Sequence, residues 1–194
     1  MSEKHLDGVR VAALVEEGFE QVELTEPMAA LRRAGAEVLV VSPRAGKVRA
    51  WNHDQWGDEF QVDVPLEQAR AEDFHGILQP GGVMSPDRLR MNPDAVNLMR
   101  DFRVQRKPIA AICHGPWMII QAGLAEGMTL TSWPSLRTDI RNAGGHWVNQ
   151  PVVEFDGIVT AQQPSDIPAF NDQMILQFSR ARRGEKVGEQ VPLC

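Results

Sequence analysis

The sequence lacks the features that define several large classes of protein. No apolar run approaches the length of a membrane span, and the start, "MSEKHLDGVRV", has no long apolar stretch of the kind found in secretory signals. Two cysteines cannot form a disulfide framework, so both are expected to be reduced thiols in a cytoplasmic protein. Cys194 ends the chain, is expected to be frayed and is given no role.

Positive charge is also scarce. The 20 lysines and arginines are outnumbered by 26 aspartates and glutamates, which gives a formal net charge of -6 at pH 7. Phosphate-rich partners need a basic patch, and the most basic tract, 180–183, is better explained as a helix end that suits the helix dipole. We therefore expect neither a nucleic acid nor a membrane as a partner.

The common nucleotide and metal motifs are missing as well. The chain has no Gly-x-x-x-x-Gly-Lys-Ser/Thr loop and no Gly-x-Gly-x-x-Gly fingerprint. Its five histidines form no pair with cysteine or acid at zinc-ligand spacing, and His53 beside Asp54 is better explained as a polar loop. We expect no cofactor and no metal.

Short apolar runs and helical patterns alternate along the chain. Buried strands are predicted at 9–15, 37–43, 76–82 and 108–113. Helices are predicted between them, with a start signal at Asn92-Pro93, and a last helix is predicted after Ser165-Asp166. This alternation predicts a flavodoxin-like α/β sandwich of three layers, with a mostly parallel sheet and helices on both faces, in which residues 1–194 form a single domain.

Two segments depart from this alternation. Residues 44–66 are polar with two tryptophans and are predicted to form a small hairpin beside the main sheet. Residues 150–162 are predicted to form a second hairpin, with Asp156-Gly157 at its turn.

The segment "IAAICHGPWMI", residues 109–119, places Cys113 between a predicted strand and a predicted helix. Ligands of open α/β sheets bind beyond the carboxyl ends of the strands, and a sharp strand-to-helix turn projects its first residue into that crevice. We therefore predict a strained backbone at Cys113 and a thiol activated by the helix N-terminus. The alternative is an inert core cysteine.

Several motifs in the same order resemble the PfpI family of the wider DJ-one superfamily, whose sheet is similar to that of class I glutamine amidotransferases. They are "EEGFEQVEL", "LQPGG" and the stretch that begins "AAICHGPWMIIQAG", and the resemblance spans roughly residues 9 to 183. It implies that Cys113 is a nucleophile and His114 its neighbouring histidine. It also implies that the carboxyl group of Glu20 contacts the sulfur, and because two adjacent negative charges repel, we expect Glu20 to be protonated.

The resemblance further implies a site shared between subunits. The third catalytic member is a carboxylate from a neighbouring chain, so a homodimer or larger homo-oligomer is expected. The matching residue is Asp87, where the family usually has glutamate, and the loop "GGVMSP" is one residue longer than the usual stretch. Backbone N–H groups of Gly81, Gly82 and His114 are the implied donors to an oxyanion.

The residues alone leave alternatives open at each position. His114 could be satisfied by solvent, Glu20 could be an ordinary acid of a first helical turn, and Asp87 could be a helix cap before Arg88. Trp133 could form a wall of the pocket or pack in the core.

Two functions fit these residues. The first is a stress-protective enzyme that attacks carbonyl carbons, closer to a glyoxalase or deglycase than to an intracellular peptidase, with small carbonyl compounds, glycated molecules or peptides as substrates. The second is a non-enzymatic, redox-responsive or chaperone-like protein whose Cys113 is oxidised to the sulfinate. Both functions use the same thiolate, so the sequence does not separate them.

Overall fold

Eleven strands and six α-helices make up the described part of the chain, residues 6–184 of a computed structural model. The strands are β1 Arg10–Leu14, β2 Glu37–Ser42, β3 Lys47–Asn52, β4 Gln55–Gln61, β5 Val64–Pro65, β6 Gly76–Gln79, β7 Ile109–Ile112, β8 Thr129–Leu130, β9 His146–Trp147, β10 Val152–Phe155 and β11 Ile158–Ala161. The helices are α1 Gln21–Arg33, α2 Met84–Leu89, α3 Pro93–Val104, α4 Pro116–Gln121, α5 Arg137–Asn142 and α6 Ile167–Arg182. Cys194 lies outside the described residues.

The central sheet has seven strands in the order β10-β11-β7-β6-β1-β2-β5. All neighbouring pairs are parallel except β10 and β11, which form the antiparallel hairpin at one edge. This is the mostly parallel α/β sheet that the alternation of apolar runs predicts. The turn of the edge hairpin lies at Asp156-Gly157 as predicted, with both residues at positive φ (49° and 73°).

Helices cover both faces of this sheet. Successive residues of β1 point to opposite sides, as the pleat requires. Val11 belongs to the core that contains Leu24 of α1 and Phe170 of α6, whereas Ala12 belongs to the core that contains Met99 of α3. The prediction of a three-layer sandwich is therefore confirmed. No helix within residues 6–184 is long and apolar enough to cross a bilayer.

Several short elements differ from the sequence-based prediction. The hairpin of β3 and β4 forms its own antiparallel sheet as predicted, but β5, at the end of the same segment, joins the central sheet. The strand predicted at 76–82 ends at Gln79, since Pro80 has no N–H to donate and two glycines follow. Helix α2 and the parallel pair of β8 and β9 were not predicted, because elements of two to six residues carry little periodicity.

Candidate active site

A cavity of about 410 Å³ lies beyond the carboxyl ends of β1, β6, β7 and β11. This is where ligands of open α/β sheets are bound. The cavity is mostly walled by backbone and apolar side chains, and Trp133 is one of its walls. The residues that line it are Gly18, Glu20, Glu23, Trp51, His53, Gly82, Val83, Met84, Cys113, His114, Trp133 and Pro164.

Cys113 sits at the turn between β7 and α4 in a left-handed conformation, with φ of 61°. A residue with a side chain rarely adopts this conformation, and it persists only where the surroundings enforce it. The Cys113 N–H donates to the carbonyl of Ala161 at 3.0 Å, and the Cys113 carbonyl accepts the N–H of Trp133 at 2.9 Å. The predicted backbone strain at Cys113 is therefore confirmed.

His114 is held between two side chains of its own chain. Its Nδ1 lies 3.2 Å from the Cys113 sulfur, and its Nε2 lies 3.2 Å from the hydroxyl oxygen of Ser135. Burial lowers the pKa of His114, so the imidazole is neutral and able to accept a proton from the thiol. The sequence analysis missed Ser135, although "SWPSL" follows a strand end on the same side of the sheet.

The acid beside the sulfur is Glu23, and the assignment of that role to Glu20 is wrong. Glu23 is fully buried. Its hydrogen bond with Cys113 lowers the pKa of the Glu23 carboxyl and raises the pKa of the Cys113 thiol. Its Oε2 accepts the N–H of Gly81 at 2.8 Å, while its buried Oε1 has no nitrogen or oxygen partner within residues 6–184. Glu20 precedes the first residue of α1, whereas Glu23 lies within the helix, on the face that packs against the sheet.

Glu20 occupies the mouth of the cavity instead. It is half-buried at the N-cap position of α1, where its side chain makes no capping hydrogen bond. Its Oε1 accepts the N–H of His53 at 3.3 Å, and its backbone forms an isolated bridge with Trp51. Glu20 thus stands at the start of α1, as the alternative of a helix-start acid has it, but its carboxyl contacts the β3–β4 hairpin instead of capping the helix.

Glu23 and Cys113 compete for one proton. Burial, with a smaller contribution from the charge of Glu20, raises the pKa of Glu23 to about 8. Burial and the neighbouring Glu23 raise the pKa of the Cys113 thiol, although the N–H groups of Gly82 and His114 partly oppose this effect. Burial and Glu23 therefore oppose the expected activation of the thiol by the helix N-terminus. The ionised sulfur is stable only while Glu23 keeps its proton.

Of the three predicted backbone donors, two face the sulfur. The N–H groups of Gly82 and His114 hydrogen-bond Cys113, whereas the N–H of Gly81 donates to the Glu23 carboxyl. Gly81 also lies against the nucleophile turn, since an added Cβ would be 2.7 Å from the Ile112 carbonyl oxygen and 2.8 Å from the Cys113 Cβ. The arrangement supplies a nucleophile, a base and N–H donors around one point, as addition to a carbonyl carbon requires.

Asp87 is not brought to this site within the chain. It lies in helix α2 rather than in the predicted loop, with its side chain 49% exposed, and it pairs with Arg90 at 2.7 Å. The Arg90 guanidinium in turn lies over the ring of Trp117, 4.7 Å from its centroid. The role of Asp87 toward a neighbouring subunit stays a prediction. Within residues 6–184, no cluster of three histidine, cysteine or acidic residues is arranged to hold a metal ion.

Three comparisons with known proteins bear on this site. Residues 9–177 match the model of the DJ-1/PfpI family. The chain is 37% identical to general stress protein 18 of Bacillus subtilis over 87% of this chain and 96% of that protein. It is 35% identical to protein/nucleic acid deglycase 2 of Escherichia coli over 86% of this chain and 95% of that protein.

Among solved structures, a two-domain protein from Anabaena variabilis, which contains DJ-1/ThiJ/PfpI-like and ferritin-like domains, superposes with a TM-score of 0.81 and 29% sequence identity. The match covers 96% of this chain and 52% of that chain.

Proposed function

Because the chain belongs to the DJ-1/PfpI family, we propose that it is a cysteine-dependent enzyme that acts on the carbonyl carbons of reactive aldehydes and of their adducts with amines, as glyoxalases and deglycases do. The observation that carries the proposal is the strained Cys113, whose sulfur faces the cavity 3.2 Å from His114 Nδ1 and beside the Glu23 carboxyl. The relation to a deglycase and to a general stress protein supports the substrate class and a stress-protective role, which we place in the cytoplasm as part of the proposal.

The simplest reaction is conversion of methylglyoxal to lactate. The Cys113 sulfur adds to the aldehyde carbon, His114 takes the thiol proton, and the C=O electron pair moves to the oxygen beside the N–H groups of Gly82 and His114. His114 then returns this proton to the hemithioacetal oxygen. The neutral imidazole next moves a proton from the first carbon to the second through an enediol, which leaves a thioester. Water hydrolyses the thioester and regenerates the thiol. The second carbon is reduced as the first is oxidised, so the reaction consumes only water.

The size of the cavity favours small substrates over extended peptides. A volume of about 410 Å³ lies at the lower end of the range for small-molecule sites. Cys113 is only 7% exposed as a residue, so a substrate has to present a narrow group to it. A small aldehyde or the tip of a glycated side chain meets this condition, whereas the backbone of an extended peptide does not.

The proposal includes a homo-oligomer in which Asp87 of one chain approaches His114 of another. The exposed position of Asp87 supports this part, since nearly half of its side chain is accessible in the single chain. Asp87 would orient the imidazole in addition to Ser135, which contacts Nε2 in the same chain.

A second candidate is a redox-responsive protein whose Cys113 is oxidised to the sulfinate. A protonated Glu23 and two backbone N–H groups beside the sulfur would stabilise an oxidised, negatively charged sulfur as well as a thiolate. Stabilisation of an oxidised sulfur requires no substrate, and it therefore favours the redox candidate.

One set of assays tests both functions. Wild type, Cys113→Ser and Cys194→Ser are compared for lactate production from methylglyoxal, release of amine from a glycated peptide, and cleavage of casein. We expect wild type and Cys194→Ser to be equally active on the first two substrates and Cys113→Ser to be inactive. Cleavage of casein alone would contradict the proposal. Stoichiometric gain of two oxygen atoms at Cys113 with dilute peroxide, without turnover of any substrate, would support the redox function instead.

A further inference from the structure

We infer that Glu20 and Trp51 form a cation-selective mouth of the Cys113 cavity. The site would then favour carbonyl adducts carried on an ammonium or guanidinium group over adducts carried on a phosphate-bearing molecule. The inference rests on the proposed function only for the identity of the adduct, because charge selectivity is a property of the cavity itself.

The Glu20 carboxylate carries negative charge at the mouth of the cavity without a cationic partner. It lines the cavity, is half-buried, and forms no ion pair within residues 6–184. Its one hydrogen bond is the 3.3 Å contact from the backbone N–H of His53. Its charge acts inside the cavity, since it contributes to the raised pKa of Glu23. A bound cation would supply the partner that the chain does not.

Aromatic rings stand beside this carboxylate. Trp51 and Trp133 both line the cavity, and indole rings attract cations more strongly than other aromatic side chains. The Trp51 ring is fixed, because its Nε1–H donates to the His53 carbonyl at 2.7 Å and Trp56 packs edge-on against it at 5.4 Å. A carboxylate next to the fixed indole of Trp51 is a suitable environment for an ammonium or guanidinium group.

The backbone N–H donors of the cavity, from Gly82 and His114, face the Cys113 sulfur. Within the described part of the chain, no lysine or arginine lines the cavity. Glu23 keeps its proton below about pH 8, so Glu20 supplies the carboxylate charge. A phosphate group brought to the mouth would meet a like charge without compensation, whereas the adduct of an aldehyde with a lysine or arginine side chain brings the opposite charge.

Charged thiol reagents test this inference without any carbonyl chemistry. Methanethiosulfonates react when the Cys113 sulfur attacks the reagent sulfur, so that a disulfide forms and methanesulfinate leaves. Rates are measured at one pH for a cationic, a neutral and an anionic methanethiosulfonate, with the full-length chain in a Cys194→Ser background. In Glu20→Gln, we expect the ratio of the cationic to the anionic rate to fall about tenfold, from the loss of one nearby charge.

The control is Glu26→Gln, which makes the same charge change at an exposed position of α1 away from the cavity. We expect it to leave the ratio unchanged. An unchanged ratio in Glu20→Gln would overturn the inference, as would an equal fall in both variants. Equal slowing of all three reagents in Glu20→Gln would also overturn it, because Glu20 would then act only through the reactivity of the sulfur.

Substrates extend the test to the proposed activity. We expect kcat/KM for a methylglyoxal-treated arginine peptide to exceed that for a methylglyoxal-treated guanine nucleotide, and Glu20→Gln to narrow the difference. A wild-type preference for the nucleotide would overturn the inference. If neither substrate is turned over, the proposed function fails, while the reagent rates still decide whether the mouth selects cations.

Discussion

The proton shared by Glu23 and Cys113 controls the reactivity of the candidate nucleophile. Both groups are buried, and burial raises the pKa of each, so the pair resists carrying two negative charges. A neutral His114 is positioned to take the thiol proton as the sulfur attacks. In this arrangement the sulfur reacts when a substrate is present, whereas a permanently ionised thiol would react indiscriminately.

Replacing Glu23 with glutamine should make Cys113 ionise at lower pH. An amide retains the shape of the side chain and the contact with Gly81, but it removes the carboxylate charge that raises the thiol pKa. The rate of iodoacetamide labelling of Cys113, measured against pH, should show its midpoint moved downward. Glu26→Gln, on the exposed face of α1, serves as the control. An unmoved midpoint in Glu23→Gln would show that the two groups titrate independently.

The same carboxyl should make the fold less stable as pH rises. Glu23 has a pKa of about 8 when folded against an ordinary value of 4.5, so between these values the folded chain binds more protons than the unfolded one. The free energy of unfolding therefore falls as pH rises through this window, by about 2–4 kcal/mol. Urea titrations of wild type and Glu23→Gln from pH 5 to pH 8 measure the difference. The variant should lose less stability, and parallel curves would contradict the assignment.

The exact residue that fills each role in the site is what the sequence predicts least well. Cys113 was identified because it stands at a strand end, and the family resemblance added His114. The acid was assigned one helical turn too early, although Glu23 falls in line with Pro27 and Ala30 on the buried face of α1. That spacing was the available signal, and an acid within an apolar stripe requires a buried partner.

At the scale of elements, the site depends on two turns that pack against each other. The turn after β6 brings Gly81 against the turn after β7, with room for a hydrogen atom and not for a methyl group. The close approach allows the Gly81 N–H to hold Glu23 and the Gly82 N–H to face the sulfur.

Gly81→Ala should therefore disturb both turns. Contacts of 2.7 Å to the Ile112 carbonyl and 2.8 Å to the Cys113 Cβ force the backbone to move, at a cost of about 1–3 kcal/mol. Thermal unfolding and the labelling rate of Cys113 should both change. Gly127→Ala is the matched control, since Gly127 has a positive φ of 70° but open space around its Cα. It should lower stability and leave the labelling rate unchanged, and an equal effect on labelling would rule out the packing explanation.

Elements with strong periodicity or clear end signals were predictable. The four long apolar runs became β1, β2, β6 and β7, and α3 begins with Asn92 accepting the N–H groups of Asp94 and Ala95. The two-residue strands β5 and β9 were not predictable, and only the end of β8 before "SWPSL" was, since the pairing of such short strands depends on where the rest of the chain brings them.

At the scale of the whole molecule, the shared site depends on what Asp87 approaches in a neighbouring chain. No sequence pattern within one chain determines which residue of another chain it approaches, so the shared site depends on the family resemblance. In the single chain Asp87 is paired with Arg90, and the His114 Nε2 is already in contact with Ser135.

Mixed oligomers test the shared site directly. Cys113→Ser and Asp87→Asn should each be nearly inactive, because loss of an orienting carboxylate can lower turnover by several orders of magnitude. After subunit exchange, each mixed dimer should contain one site with an intact cysteine and an intact aspartate, and part of the activity should return. Exchange is verified by mass spectrometry of differently labelled chains. Demonstrated exchange without recovered activity would refute the shared site.

The small sheet of β3 and β4 carries Trp51 and His53, whereas the central sheet carries the nucleophile. The N–H of Trp51 donates to the Phe19 carbonyl, the N–H of Gly18 donates to the Arg49 carbonyl, and Val48 and Ala50 of β3 are buried in the core of the main domain. Substitutions at the exposed positions of the hairpin can therefore accumulate without disturbing the turn that presents Cys113. This division gives evolution a way to change ligand preference while the reaction is conserved, and the hairpin is where homologues of different preference should diverge first.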